Sequence, residues 1–246
     1  MPRHALTDSQ WQAIGDKLPQ RRGPRSVERD RNFIDAVVWM ARTGSPWRDM
    51  DPAFGTWKII YNRFRRWAIR GWWQELFRLL PVEEEYGSIL DASIIRAHQD
   101  AAGGRDGPTE NAIGRSRGGF STKLHAVVTM EAKPIEVIAT PGQRHEALCA
   151  EELLDFVRGD FCLADGGYDA DRILQAARDR GLQPVIPSHS GRKKQRRHRR
   201  DVYGLRYRVE VFFHNLKRYR RIATRYDKTL VSFMGFVHVA CLLLTL

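Results

Sequence analysis

The sequence predicts an α/β protein in which a mixed sheet carries the chemistry and a small all-helical domain precedes it. Three observations point there. All seven tryptophans lie between Trp11 and Trp73, so residues 1–80 form a packing unit of their own. From residue 88 the apolar pattern changes from helical spacing to short runs separated by turns. Those runs read as three strands, then strand, helix and strand, then a long helical segment, the order of a mixed sheet covered by helices. The domains expected are 1–80 and 81–246.

Thr7 followed by Gln10 is a capping box that opens a helix running to about Leu18. The string PQRRGPR at 19–25 breaks it, and a second helix, Glu28 to Arg42, carries Phe33, Val37, Val38 and Met40 on its apolar side. Gly44, Pro46 and Pro52 mark a turn region. A third helix, N-capped by Thr56, places Ile59, Ile60, Phe64 and Trp67 inward and leaves Lys58, Asn62, Arg63, Arg65 and Arg66 outward. A fourth, Trp72 to Leu80, stops at Pro81. Such a unit looks like a helix-turn-helix DNA-binding domain, the alternative being a bundle with a solvated basic face.

In the second domain, strands are expected at 88–95, at 121–130 and 135–140 (a hairpin), at 161–164 and at 183–186. A helix from Asp169 to Arg180 separates the last two. The stretch Asp100 to Gly119 holds six glycines and reads as a flexible loop. Val231 to Leu246 is apolar but broken by Ser232, Gly235 and His238, and is short of the roughly 20 residues of a membrane span. It reads as a buried helix.

Composition narrows the function. At 42% hydrophobic and 28% charged, the 246 residues are ordinary globular material, which excludes collagen-like, fibrous and disordered chains. Cys149, Cys162 and Cys241 lack paired spacing, so no disulfide framework or zinc knuckle is expected, and the opening MPRHALTDSQWQ lacks the apolar core of a signal peptide. A reducing, cytoplasmic setting follows. The net charge of +12 is uneven: residues 1–80 carry +7, residues 81–191 carry −7, and the 34 residues 192–225 carry +12. A polyanionic partner fits the basic blocks, and the acidic block suggests carboxylates with another task.

Three acidic residues stand where this layout converges: Asp91 within the first strand, Asp165 directly after the fourth, and Glu210 in the helix after the basic run. A carboxylate in an apolar strand is costly unless its charge is compensated. Converging carboxylates suit Mg²⁺ or Mn²⁺, hard cations that take oxygen ligands, and a pair of such ions about 4 Å apart serves in-line phosphoryl transfer. Taken singly, each acid is as well explained by a cap, a turn or a salt bridge. Tyr203, Arg206, Glu210 and Lys217, separated by 3, 4 and 7 residues, fall on one helical face at about 3.6 residues per turn. A carboxylate flanked by two cations and a phenol suits a bound phosphate.

These residues resemble a known family. Residues 203–217 match the Tyr-x2-Arg-x3-Glu-x6-Lys signature of bacterial insertion-sequence transposases of the DDE class, in the group around the IS-four and IS-five types. DGGYD at 165–169 matches that group's Asp-x2-Tyr-Asp motif. LDASIIRAHQDAAG from Leu90, GRSRGGFSTKLH at 114–125 and the PWRDM and YNRFRRW strings are similar to its members. The resemblance implies an RNase H-like catalytic domain with Asp91, Asp165 and Glu210 as a metal-binding triad holding Mg²⁺ or Mn²⁺, two ions in all. It further implies double-stranded DNA as partner, both terminal inverted repeats and target, a homodimer in a synaptic complex, and a nucleoid-associated location. Tyr203, Arg206 and Lys217 would then contact phosphates near the cut. The 45 residues from Asp165 to Glu210 leave no room for the large β insertion of some relatives, so a hairpin intermediate is not carried over.

The run GRKKQRRHRR, with Arg192, Lys193, Lys194, Arg196 and Arg197, precedes that helix and reads as a phosphate contact or a solvated linker. His98, His125 and His214 lie near the motifs without a role that spacing assigns. A structure-selective nuclease and a DNA-binding regulator derived from a transposase stay open as alternatives.

Overall fold

A computed structural model describes residues 4–19, 26–83, 86–104, 107–116 and 118–246. Most of the breaker string at 19–25 therefore lies outside the described residues. The chain folds into two compact units, one of Met1–Pro81, Arg96–Asn111 and Leu216–Leu246, the other of Val82–Ile95 and Ala112–Asn215.

The first unit is helical: α1 (Asp8–Ile14), α2 (Val27–Thr43), α3 (Trp57–Ile69), α4 (Trp72–Arg78), α5 (Gly107–Glu110), α10 (Arg220–Ala223) and α11 (Leu230–Thr245). The capping box at Thr7 forms, with Oγ1 accepting the Gln10 N–H and Gln10 Oε1 accepting the Thr7 N–H. The aromatic residues are core. Trp67 and Trp73 pack at 4.9 Å and Phe33 meets both, each ring contributing several kcal/mol at about 25 cal/mol per Å² buried.

Helix α11 is apolar on all sides, and it packs against α2, α3 and α4. Phe236 stacks on Phe64 at 4.3 Å, and Gly235 permits the approach, because a Cβ there would lie 3.0 Å from Phe64 and 3.2 Å from the Ala68 Cβ. The C-terminal segment thus joins the residues before Pro81 in one core, where chain order alone places it with 81–246. Among the described residues, no helix is long and apolar enough to cross a membrane.

Two positions on α3 depart from expectation. Ile59 is 67% exposed, whereas Arg63 is buried and pairs with Asp30 at 2.5 Å. Residues 60, 63, 64 and 67 form the inward stripe of a helix, so Arg63 belongs to it by phase, and its guanidinium lies over Phe33 and Trp67 at 4.0 and 4.9 Å. Lys58, Asn62, Arg65 and Arg66 do face outward.

The second unit holds most of the sheet: β1 (Gly87–Ala97), β2 (Gly114–Ser116), β3 (Gly119–Thr129), β4 (Pro134–Pro141), β5 (Phe161–Leu163) and β6 (Gln183–Val185). The order is β2-β3-β1-β5-β6, with β4 also on β3. β2, β3 and β4 pair antiparallel and β1, β5 and β6 parallel, a mixed sheet. The end of β1 lies in the first unit, where Arg96 and Ala97 pair with β7 (Thr224–Arg225). Helices α6 (Ala150–Leu154) and α7 (Asp171–Asp179) cover the sheet through Leu153, Leu154, Ile173 and Leu174, packed with Leu90, Val127 and Cys162. α8 (Arg200–Tyr203) and α9 (Tyr207–Lys217) follow the basic run.

The expected loop at 100–119 is more ordered than its glycines suggest. Among its described residues it forms a 3-10 turn ending at Gly103, α5 and the edge strand β2. The helix expected from Asp169 starts at Asp171, because Asp169 closes a separate turn.

Candidate active site

The register of β1 on β5 sets the site. Ile89 lies opposite Leu163, and Asp91 and Asp165 each stand two residues further on. Side chains alternate at a period of two, so the parallel pairing brings both carboxylates to one end of the sheet. The chain turns at Asp165, whose Oδ1 accepts the Gly167 N–H at 2.9 Å and caps the 3-10 turn Gly166–Tyr168. Gly167 keeps the space open, since a Cβ there would lie 2.9 Å from Asp165 Oδ1 and 3.5 Å from Glu146 Oε2.

Glu146 is the third member. It opens the short 3-10 turn Glu146–Leu148 after β4 and pairs with Lys123 of β3 at 3.1 Å. Asp91, Glu146 and Asp165 each offer an oxygen, and these atoms all lie within 4.8 Å of one another. Neither the motif nor the spacing singled out Glu146. In GQRHEALCAEELL it looks like an acidic residue at a helix start, and only its place after β4 brings it here.

Burial pushes the pKa of Asp91 up to about 6; the Ala92 N–H and Arg206 oppose this, and the charges of Asp165 and Glu146 add to it. Tyr168, the tyrosine of DGGYD, is fully buried, and its hydroxyl has no hydrogen-bond partner among the described residues. Burial, then the charges of Glu146, Asp91 and Asp165, push its pKa well above the ordinary value. A buried phenol O–H beside three carboxylates is an unused donor.

Glu210, on α9, stands outside this cluster and is 60% exposed. Arg206 connects it: one guanidinium nitrogen lies 3.2 Å from Asp91 Oδ2 and the other 2.5 Å from Glu210 Oε1. The structure thus brings Asp91 and Asp165 together directly, adds Glu146, and holds Glu210 one guanidinium away. Burial works against the Arg206 charge, but Asp91, Tyr203 and Glu210 raise its pKa. The single helical face expected for the tetrad is interrupted, because a 3-10 turn at Gly204–Arg206 separates Tyr203 on α8 from α9. Tyr203 stands edge-on to His198 at 5.1 Å. Lys217 closes α9.

The basic run divides. Arg192 and Arg196 pair with Asp169 and Asp171, while Lys193, Lys194 and Arg197 are exposed. His125 is buried against Thr140 Oγ1 at 2.8 Å, and burial pushes its pKa down to about 4, a structural role. His98 caps a 3-10 turn and His214 is exposed.

Comparison with known proteins shows what the chain is similar to. The family model "Putative transposase of IS4/5 family" matches residues 6–77, and the model "Transposase DDE domain" matches 83–245. The "Putative transposase for insertion sequence element IS6501" of Brucella ovis is 38% identical over 138 residues, 52% of this chain and 99% of that protein. Its counterpart for IS402 in Burkholderia cepacia is 27% identical over 153 residues, 57% of this chain and 69% of that one. Among solved structures, a piggyBac transposase synaptic complex with hairpin DNA is similar in fold. It has a TM-score of 0.52 and 12% identity, covering 96% of this chain and 71% of that one.

Proposed function

Because the chain belongs to the DDE transposase family, with an RNase H-like fold and transposase function, we propose that it cuts DNA at the terminal inverted repeats of an insertion sequence and joins the freed ends to target DNA. The observation that carries this reading is the set of three carboxylate oxygens within 4.8 Å at the β1–β5 end. An all-carboxylate donor set beside an unpartnered phenol fits a hard divalent cation.

Asp91, Asp165 and Glu146 would hold Mg²⁺ or Mn²⁺ here, with Glu210 reaching the same centre once Arg206 turns to a phosphate; the proposal is for two ions. When bound, such ions activate a water or 3′-hydroxyl and stabilise the leaving oxygen. The protein's own part is positional. Arg206 offers a planar pair of donors for phosphate oxygens. Tyr168 has an O–H to donate to a ligand of the site. Tyr203 and Lys217 would meet phosphates near the cut. Residues 1–80 would bind DNA through the outward face of α3, where Lys58, Asn62, Arg65 and Arg66 stand together, and residues 81–246 would carry catalysis, with 192–225 along the backbone. The active form would be a homodimer on paired ends, working in the cytoplasm on the nucleoid.

Incubation of the chain with duplexes carrying the ends of its own element and Mg²⁺ tests this. Cleaved ends and joined strand-transfer products are expected, with none from Asp165→Ala. Equal cutting by that variant would overturn the site, and cutting without joining would replace the reading with that of a nuclease.

A further inference from the structure

We propose that Asp169 is an anchor that sorts the basic run into two sets: Arg192 and Arg196 are fixed beside the Asp165 turn, and Lys193, Lys194 and Arg197 are the residues left to meet DNA phosphates. The proposal rests on the DNA reading above and concerns which cations serve it.

Asp169 ends the 3-10 turn that Asp165 begins, and its side chain has no exposure to solvent. Its Oδ2 accepts from Arg192 Nε at 2.9 Å and from the His189 N–H at 2.8 Å, and the Arg196 guanidinium sits on Oδ1. Asp171 Oδ1 receives both arginines again, each at 2.9 Å. The backbone is tied down as well. The Arg196 N–H donates to Ser188 Oγ at 2.8 Å, and the Gln195 amide donates to the carbonyls of His189 and Arg192.

Two guanidinium groups thus face two carboxylates, one wholly buried, and their charges cancel locally. Among the described residues, no carboxylate pairs with Lys193, Lys194 or Arg197, and all three are exposed. Their stretch of chain is held at Arg192 and at Arg196, and the anchor is four residues from Asp165. Cations on a segment already fixed lose less conformational freedom on binding than cations on a free linker. Each phosphate that they neutralise releases counterions, so their number is readable from the salt dependence of affinity.

The test is fluorescence anisotropy of the full chain with a short duplex of arbitrary sequence, in EDTA, from about 50 to 200 mM NaCl. Lys193→Ala, Lys194→Ala and Arg197→Ala together are expected to lower the log–log salt slope by roughly 3, about one per phosphate contact, with the unfolding midpoint unchanged. Asp169→Asn with Arg192→Gln and Arg196→Gln removes both signs of the anchor and is expected to leave the slope at its native value. Asp169→Asn alone keeps every cation, so its slope stays the same or steepens, while trypsin cuts after Lys193 and Lys194 several-fold faster than in the native chain.

An anchor variant that loses as much slope as the alanine variant overturns the sorting. So does an alanine variant with native slope, or native trypsin resistance in Asp169→Asn. The alanine variant changes only exposed side chains, so its comparison stands even where the anchor variants fail to fold. No salt-dependent binding by the unaltered chain would instead overturn the DNA reading itself.

Discussion

One group of carboxylates withdrawn from solvent in each compact unit makes an instructive pair, because the two groups are treated oppositely. In the first unit Asp30 meets Arg63 at 2.5 Å, and Asp227 takes two hydrogen bonds from Arg221, at 2.9 and 3.0 Å, all four side chains being 7% exposed or less. In the second unit Asp91, Glu146 and Asp165 crowd within 4.8 Å, with Lys123 on Glu146 and Arg206 shared between Asp91 and Glu210. The first arrangement is electrostatically closed. The second leaves negative charge uncompensated in a half-buried place, which a fold tolerates where a cation is to be bound.

The largest expected effect breaks or sustains that contrast. Asp91→Ala or Asp165→Ala should lower DNA cleavage by about 10³-fold or more, the worth of several kcal/mol of transition-state stabilisation. Unfolding free energy should hold or rise, because a repelling charge is removed. Asp30→Ala should do the reverse, costing about 3–5 kcal/mol by breaking a buried ion pair. Urea unfolding of the variants measures both. A destabilised Asp165→Ala together with an unaffected Asp30→Ala would mean that the two regions have been assigned the wrong way round.

Of intermediate size is the response to metal and pH. Asp91 releases its proton near 3.8 in the ordinary state and at about 6 in the folded one. The native chain therefore binds more protons than the unfolded chain between those values, and stability falls as pH rises through that window. A bound cation reverses this above the window, where the Asp91 carboxylate is ionised. Mn²⁺ at about 100 times its Kd should stabilise the chain by about 2.7 kcal/mol near pH 7.5, and far less near pH 4.5. Thermal shift at the two values reads it. Equal stabilisation at both would disconnect the cation from Asp91.

How much of this was legible in the sequence follows from how local each signal is. Asp91 and Asp165 were readable because strand patterns and turns are local, and a parallel register needs only the order of strands. Glu146 was not, since a 3-10 turn after β4 has no period and one acidic residue there looks like any helix start. Charge alone sends Arg63 outward, whereas its phase with Ile60, Phe64 and Trp67 points inward; Asp30, 33 residues away, is what compensates its burial. The apolar character of α11 was plain, but which helices it covers depends on Phe64, Ala68 and Trp73, residues far off in the chain.

The smallest expected effect concerns Glu210, and it sharpens the comparison most. Among the described residues its ion pair is the i,i+4 contact with Arg206, and at 60% exposure such a pair is worth roughly 0.3–0.5 kcal/mol. Glu210→Gln should therefore shift unfolding by no more than about that amount. Cleavage should nonetheless fall if Glu210 joins the metal centre when Arg206 engages phosphate, while Mn²⁺ binding without DNA should stay near native because Asp91, Glu146 and Asp165 already lie together. Glu146→Gln should weaken that DNA-free binding instead. Native cleavage by Glu210→Gln would leave Glu146 as the third acid of the site; lost DNA-free metal binding in Glu210→Gln would show that Glu210 belongs to the cluster from the start, with Arg206 holding it in reserve no longer an adequate account.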